Sequence, residues 1–179
     1  MKMKIKLVFS LTLILSVLVL GACSSKEKPA TADLEVTEEN KSYLEEYDKS
    51  LQGFIKEMTT ILKTFNDSVD GLYTQTYSRE QFATAIKGTI EQSNKLVTEV
   101  EAVDADPELF EAHQNLIVLI NRSHQLLLNA VDMANKTDTE IDKDYLRSEY
   151  VEIKTSQANI ANQWKILRQD LEAAEGATQ

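Results

Sequence analysis

Residues 143–171, KDYLRSEYVEIKTSQANIANQWKILRQDL, decide the fold. Leu146, Tyr150, Ile153, Gln157, Ile160, Trp164, Leu167 and Leu171 recur there at alternating steps of four and three. That spacing averages 3.5 residues, which lays the side chains along one stripe of an α-helix. A strand cannot produce it, because strand side chains alternate between faces with period two. Only Gln157 interrupts an otherwise apolar seam.

Three more stripes precede this one. Leu44, Tyr47, Leu51, Phe54, Met58, Ile61 and Phe65 alternate by three and four, with Ile55 and Leu62 widening the band. Thr37 is placed to N-cap this helix, with Glu38 and Glu39 in its first turn, and Gly71 offers a stop. Ser78-Arg79-Glu80-Gln81 reads as a capping box, followed by Phe82, Ile86, Thr89, Ser93, Leu96, Val100 and Val103. Asp106-Pro107-Glu108 supplies an N-cap, a proline at N1 and an acid at N2. The third seam is Phe110, His113, Ile117, Ile120, His124, Leu127, Val131 and Ala134, and Thr137-Asp138-Thr139-Glu140 reads as a second capping box. Helices are predicted at about 38–71, 79–104, 107–136 and 139–174, in a domain spanning 37–176. Short connections make successive helices antiparallel neighbours, so the predicted fold is an all-α, up-down-up-down four-helix bundle. A three-helix bundle with a docked arm is the rival.

Composition agrees with helices. The chain has 179 residues, enough for one domain, with 42% hydrophobic residues but only 5 Gly and 2 Pro. Its formal net charge of −10 becomes −13 once residues 1–22, which hold Lys2, Lys4 and Lys6 and no acid, are set aside. So acidic a surface repels nucleic-acid phosphates and anionic lipid head groups, and no nucleic-acid partner is expected.

The first residues have a logic of their own. Lys2, Lys4 and Lys6 precede a run from Leu7 to Leu20 made only of apolar residues, Ser and Thr. These are the charged and apolar regions of a secretory signal. A helix from Leu7 to Ala22 would span ~24 Å, short of the ~30 Å hydrocarbon core, which favours cleavage over a retained anchor. The run closes on Leu20-Gly21-Ala22-Cys23, which resembles the lipobox of bacterial lipoproteins. The resemblance implies a signal peptide at 1–22, cleavage between Ala22 and Cys23, and a diacylglyceryl thioether, with its two acyl chains, on the Cys23 thiol. Two chains meet the requirement for stable anchoring, with membrane lipid as a partner on the extracytoplasmic face of the cell membrane. Cys23 is the sole cysteine, so it has no intrachain disulfide partner. Residues 23–36 are small and polar and read as a disordered tether.

Candidate sites are few. His113 and His124, the two histidines, are 11 residues apart, ~16 Å along a helix, too far to share a metal. Neither has a Glu three residues before it, so the Glu-x-x-His signature of helical di-iron bundles is absent. Asp104, Asp106 and Glu108 lack the mid-loop glycine of a calcium loop and are explained by capping. Counting along antiparallel helices puts Thr89, Ser93, His124 and Gln157 at similar heights, as a polar core layer fixing register or, alternatively, a small ligand pocket. Tyr73, Tyr77 and Tyr145 gather at the end of the bundle remote from the lipid, as a possible partner patch, while Tyr150 plugs the bundle. No nucleophile–base set or phosphate loop is visible, and enzyme activity, cofactors and metals are not expected.

The resulting expectation is a membrane-anchored, non-catalytic interaction or scaffold module of the cell envelope, facing an envelope protein or wall polymer and capable of homo-oligomerising. A ligand-binding or sensing bundle is the alternative. A third reading comes from residues 15–22, LSVLVLGA, which resemble the apolar mating pheromones clipped from certain Gram-positive lipoprotein leaders.

Overall fold

The computed structural model describes residues 34–177, with side chains through residue 174. The leader, Cys23 and most of the tether lie outside the described residues. Four helices follow one another: α1 (Lys41–Tyr73), α2 (Arg79–Glu101), α3 (Phe110–Asn135) and α4 (Lys143–Ala177), with a 3₁₀ turn at Pro107–Leu109 leading into α3. The described residues contain no strand, and none of their helices is long and apolar enough to cross a membrane.

Side-chain pairs give each helix its direction. Arg147 reaches Asn66 and Asp70, Gln157 reaches Thr59, and Arg168 reaches Asp48, so α4 runs down as α1 runs up. Ser93 meets His124 and Glu101 meets Asn121, the same antiparallel relation between α2 and α3. Tyr47 pairs with His113 and Met58 with Ser123, which makes α1 and α3 parallel across the bundle. Because α4 packs on both α1 and α3, it is a full member rather than a docked arm. The fold is an antiparallel four-helix bundle. Its core is one continuous cluster in which Phe65, Phe82, Leu116 and Leu146 are fully buried. Each such side chain contributes ~1.5–3 kcal/mol of burial free energy.

The ends of the helices differ from the sequence expectation, each for a local reason. The α1 helix begins at Lys41, not residue 38. Thr37 still makes capping bonds, for its Oγ1 accepts from the Asn40 N–H at 3.3 Å and Asn40 Oδ1 accepts from the Thr37 N–H at 2.8 Å. Leu34 and Val36, expected in the tether, already pack against the core. Gly71 does not stop α1. The helix runs through it to Tyr73 and closes in a Schellman motif with Gln75 left-handed at φ 58°, the Thr76 N–H donating to the Gly71 carbonyl at 2.9 Å. Glycine is required at 71 for another reason: a Cβ there would stand 2.7 Å from Cγ of Tyr77, whose ring folds back over the helix.

The capping box at Ser78 forms as expected, with both reciprocal bonds present. The second one does not open a helix. Residues 137–140 form a turn, and α4 starts at Lys143, where Asp142 Oδ1 accepts from the Tyr145 N–H at 2.9 Å. The cause lies elsewhere in the chain: the Arg79 guanidinium donates to the carbonyls of Met133, Lys136 and Thr139 and holds that segment as a loop. In the third seam Asp106 caps Glu108 N–H at 3.0 Å, but the 3₁₀ turn winds more tightly than an α-helix and turns Leu109 inward. Phe110 is thereby left exposed, and Leu116, Leu119, Ser123 and Ala130 share the buried stripe with Ile120 and Leu127.

Candidate functional site

The far end of the bundle comprises the α1–α2 turn, the α3–α4 loop and the start of α4. Tyr73, Tyr77 and Tyr145 all stand there, 41%, 39% and 36% exposed. Each is held by a different contact. The Tyr73 hydroxyl donates to Asp144 Oδ1 at 2.5 Å, while Lys143 Nζ and the Arg147 guanidinium lie over its ring at 5.2 and 5.6 Å. Those cations also contact the negative face of the π-system, adding to the hydrogen bond. The hydrogen bond that the neutral Tyr73 phenol donates to the Asp144 carboxylate holds its pKa above the ordinary phenol value, since ionisation would lose that bond. Tyr77 is seated on Gly71, and the Tyr145 hydroxyl accepts from Asn129 Nδ2 at 3.3 Å. The three rings share an end, and no hydrogen bond joins one to another. Their common property is presentation: flat amphipathic rings, fixed by packing, with one edge in water.

Three of the four polar seam residues divide between two interfaces, and the fourth bonds within its own helix. Ser93 Oγ and His124 Nδ1 are 3.1 Å apart between α2 and α3. Gln157 sits between α4 and α1, where its Nε2 donates to Thr59 Oγ1 at 2.8 Å and to the Ile55 carbonyl at 3.2 Å, and its Oε1 accepts from Lys154. Thr89 turns back on its own helix and donates to the Ile86 carbonyl at 2.8 Å. Burial lowers the His124 pKa, so its ring is neutral in the fold at neutral pH.

The near end comprises the start of α1, the α2–α3 turn and the last turns of α4; Tyr47, His113 and Trp164 each belong to a seam, but their convergence here was not read from the sequence. His113 is 3% exposed, and its Nδ1 lies 2.9 Å from the Tyr47 hydroxyl. Tyr47 meets the His113 ring edge-on and also packs tilted against Trp164 of α4, ring centres 5.0 Å apart. The other ring nitrogen, Nε2, is buried without a hydrogen bond. Burial lowers the His113 pKa and raises that of Tyr47. Both rings are therefore neutral in the fold.

Above this cluster lies an open cleft of about 520 Å³ between α1 and the α2–α3 turn. Tyr43, Tyr47, Val103 and Leu109 form its apolar surface, and Glu46, Asp104 and Asp106 add carboxylates. The Tyr43 hydroxyl donates to Glu108 Oε2 at 2.6 Å, beside Asn40, whose Nδ2 also reaches Glu108 at 3.3 Å and the Glu35 carbonyl at 2.8 Å. These bonds tie residues 35–43 to the α2–α3 turn. Asp48 was likewise missed: it is buried, and Arg168 grips both its oxygens at 3.1 and 2.8 Å. Its place one residue after Tyr47, on the edge of the apolar stripe, was the available signal.

Among the described residues no group of three or more His, Cys, Asp and Glu side chains is arranged to hold a metal ion. Compared with protein-family models, curated proteins and solved structures, the chain matches none.

Proposed function

We propose that this chain is a bacterial lipoprotein, held on the extracytoplasmic face of the cell membrane by acyl chains on Cys23, and that its bundle is a non-catalytic interaction module of the cell envelope. The observation that carries the reading is the junction Leu20-Gly21-Ala22-Cys23 at the end of the Leu7–Leu20 apolar run. The bundle suits the role. Helices α1 and α4, of 33 and 35 residues, form a rod ~50 Å long. The start of α1 faces the anchor, so the far end with Tyr73, Tyr77 and Tyr145 is displayed towards an envelope protein or a wall polymer.

Palmitate labelling in cells, with intact-mass measurement, tests the anchor. The parent chain should lose residues 1–22 and gain a diacylglyceryl group at Cys23. Cys23→Ser should take up no label and keep its leader. Equal labelling of both chains, or a cytosolic chain with its leader intact, overturns the reading. Proximity labelling from the anchored chain, repeated with Tyr77→Ala and Tyr145→Ala, tests the role of the far end; a neighbour set unchanged in both variants removes it.

A second reading, capture of a small ligand, is favoured by the near-end cleft, whose aromatic walls and carboxylates suit an organic cation. A ligand that binds the fold raises its melting temperature by mass action. A thermal-shift screen of amines, with no response from the parent chain, rejects this reading.

A further inference from the structure

Charge is distributed unevenly over the four helices. Between Ala112 and Val131 α3 carries a single charged residue, Arg122, and that guanidinium is bound by Glu149 and Glu152 of α4. Between Thr155 and Trp164 α4 carries none. At the chain's 27% charged content, a 20-residue stretch would hold about five charges. Within these stretches the exposed positions are apolar, small or amide-bearing, and the charged Glu152, Lys154 and Lys165 stand at the borders of the α4 stretch. Phe110 and Val118 of α3 are 60% and 65% exposed, and Val151 and Ile166 of α4 are 52% and 61% exposed. Gln114 and Asn115 of α3 and Asn159 and Asn162 of α4 are exposed among them. No large hydrophobic residue is exposed on α2, and on α1 only Tyr73, its last residue, is.

Register makes this one surface. Arg122 with Glu149 and Glu152, and Asn129 with Tyr145, set the antiparallel offset of α3 and α4. That antiparallel relation runs Thr155–Trp164 of α4 alongside the Ala112–Val131 stretch of α3. The α3–α4 pair is also the most sparingly packed of the four neighbouring pairs.

We infer that the α3–α4 face is the contact surface between two copies of this chain. The argument is one of charge and self-complementarity. A chain of net charge −10 repels its own copy wherever acidic faces meet. A twofold contact places the same patch against itself, so a self-associating face must lack unpaired like charge. Asn and Gln satisfy that condition positively, because each amide is both donor and acceptor and can bond to its own kind. Depletion of charge with exposed apolar anchors is also how the centre of a protein interface differs from ordinary surface. The charge-poor stretch runs ~30 Å along α3 but only ~15 Å along α4, and at ~10 Å of width per helix it offers ~450 Å² per copy. The pair would bury ~900 Å², the size of a weak association. A basic partner would be drawn to the acidic faces instead. The inference does not depend on the acyl anchor.

Two differently tagged full-length copies, co-expressed and extracted in mild detergent, test it. The parent copies should co-purify. Val118→Glu with Ile166→Glu should reduce recovery of the second tag at least tenfold, whereas Lys95→Glu on exposed α2 should leave it unchanged. Thermal melting of each variant reports whether the fold is kept; both substituted residues are largely exposed, so it should be. If the double variant melts early, a bismaleimide cross-link between copies carrying Val118→Cys, absent for Lys95→Cys, decides instead. No co-purification by the parent, equal recovery with the folded double variant, or a Val118→Cys cross-link only to a different protein or polymer overturns the inference.

Discussion

The two ends of this bundle use the same kinds of side chain in opposite ways. At the near end Tyr47, His113 and Trp164 interlock in the core, and one imidazole nitrogen is left without a partner. At the far end Tyr73, Tyr77 and Tyr145 stand partly in water, fixed by Asp144, Gly71 and Asn129, while Arg79 ties the α3–α4 loop to α2. Aromatic burial stabilises the first end, and polar contacts to backbone and carboxylate shape the second. Burial scales with area removed from water, whereas exposed polar contacts gain little because water competes for them. The near end should therefore dominate stability, and the far end is free to vary its surface.

The largest effect should come from Trp164→Ala. Removing a 2%-exposed indole from the Tyr47 contact should cost about 3–5 kcal/mol in chemical denaturation, and a loss below ~1 kcal/mol would break the contrast. Next is Gly71→Ala at the far end. The new Cβ must displace the Tyr77 ring, at about 1–3 kcal/mol. In a Tyr77→Ala background the obstruction is gone, and the same change should be neutral or stabilise by up to ~1 kcal/mol through helix propensity. A cost unchanged by removing Tyr77 would show that the ring is not the reason for the glycine.

Arg79→Ala should cost about 1–2 kcal/mol, since three carbonyls lose a charged donor but remain near solvent. Amide exchange should accelerate at residues 136–142 more than in the core. Uniform acceleration would mean that Arg79 does not act locally.

The smallest effect separates the ends by pH. Burial depresses the His113 and His124 pKa values in the fold, so the unfolded chain binds more protons as pH falls through ~6.5. Their contribution is complete above that pH and declines below it, and melting temperature should fall between pH 7 and pH 5. His113→Phe should flatten the slope relative to the parent, and an unchanged slope would place the titration elsewhere. Differences between chains isolate the histidine from relief of acidic self-repulsion, which both share.

Four seams with a 3.5-residue period, joined by short connections, determined the bundle from sequence alone. Each seam repeats its information over six or more turns, so one misplaced residue cannot change the answer. The cap at Ser78, the cap at Asp106 and the far-end location of the three tyrosines were legible for the same reason: each depends on neighbours within a few positions. Tertiary structure decided what local pattern leaves open. Thr137–Glu140 has the residues of a capping box, yet Arg79, 54 to 60 positions away in the chain, claims carbonyls in and before that segment and delays α4 to Lys143. Gly71 looks like a terminator and serves as a seat for Tyr77. Leu109 replaces Phe110 in the core because a 3₁₀ turn changes the phase. Counting along the rod set Thr89, Ser93, His124 and Gln157 at similar heights, but a count does not say which neighbour a side chain faces. The rotation of each helix about its own axis, set by the packing of all four together, made that choice.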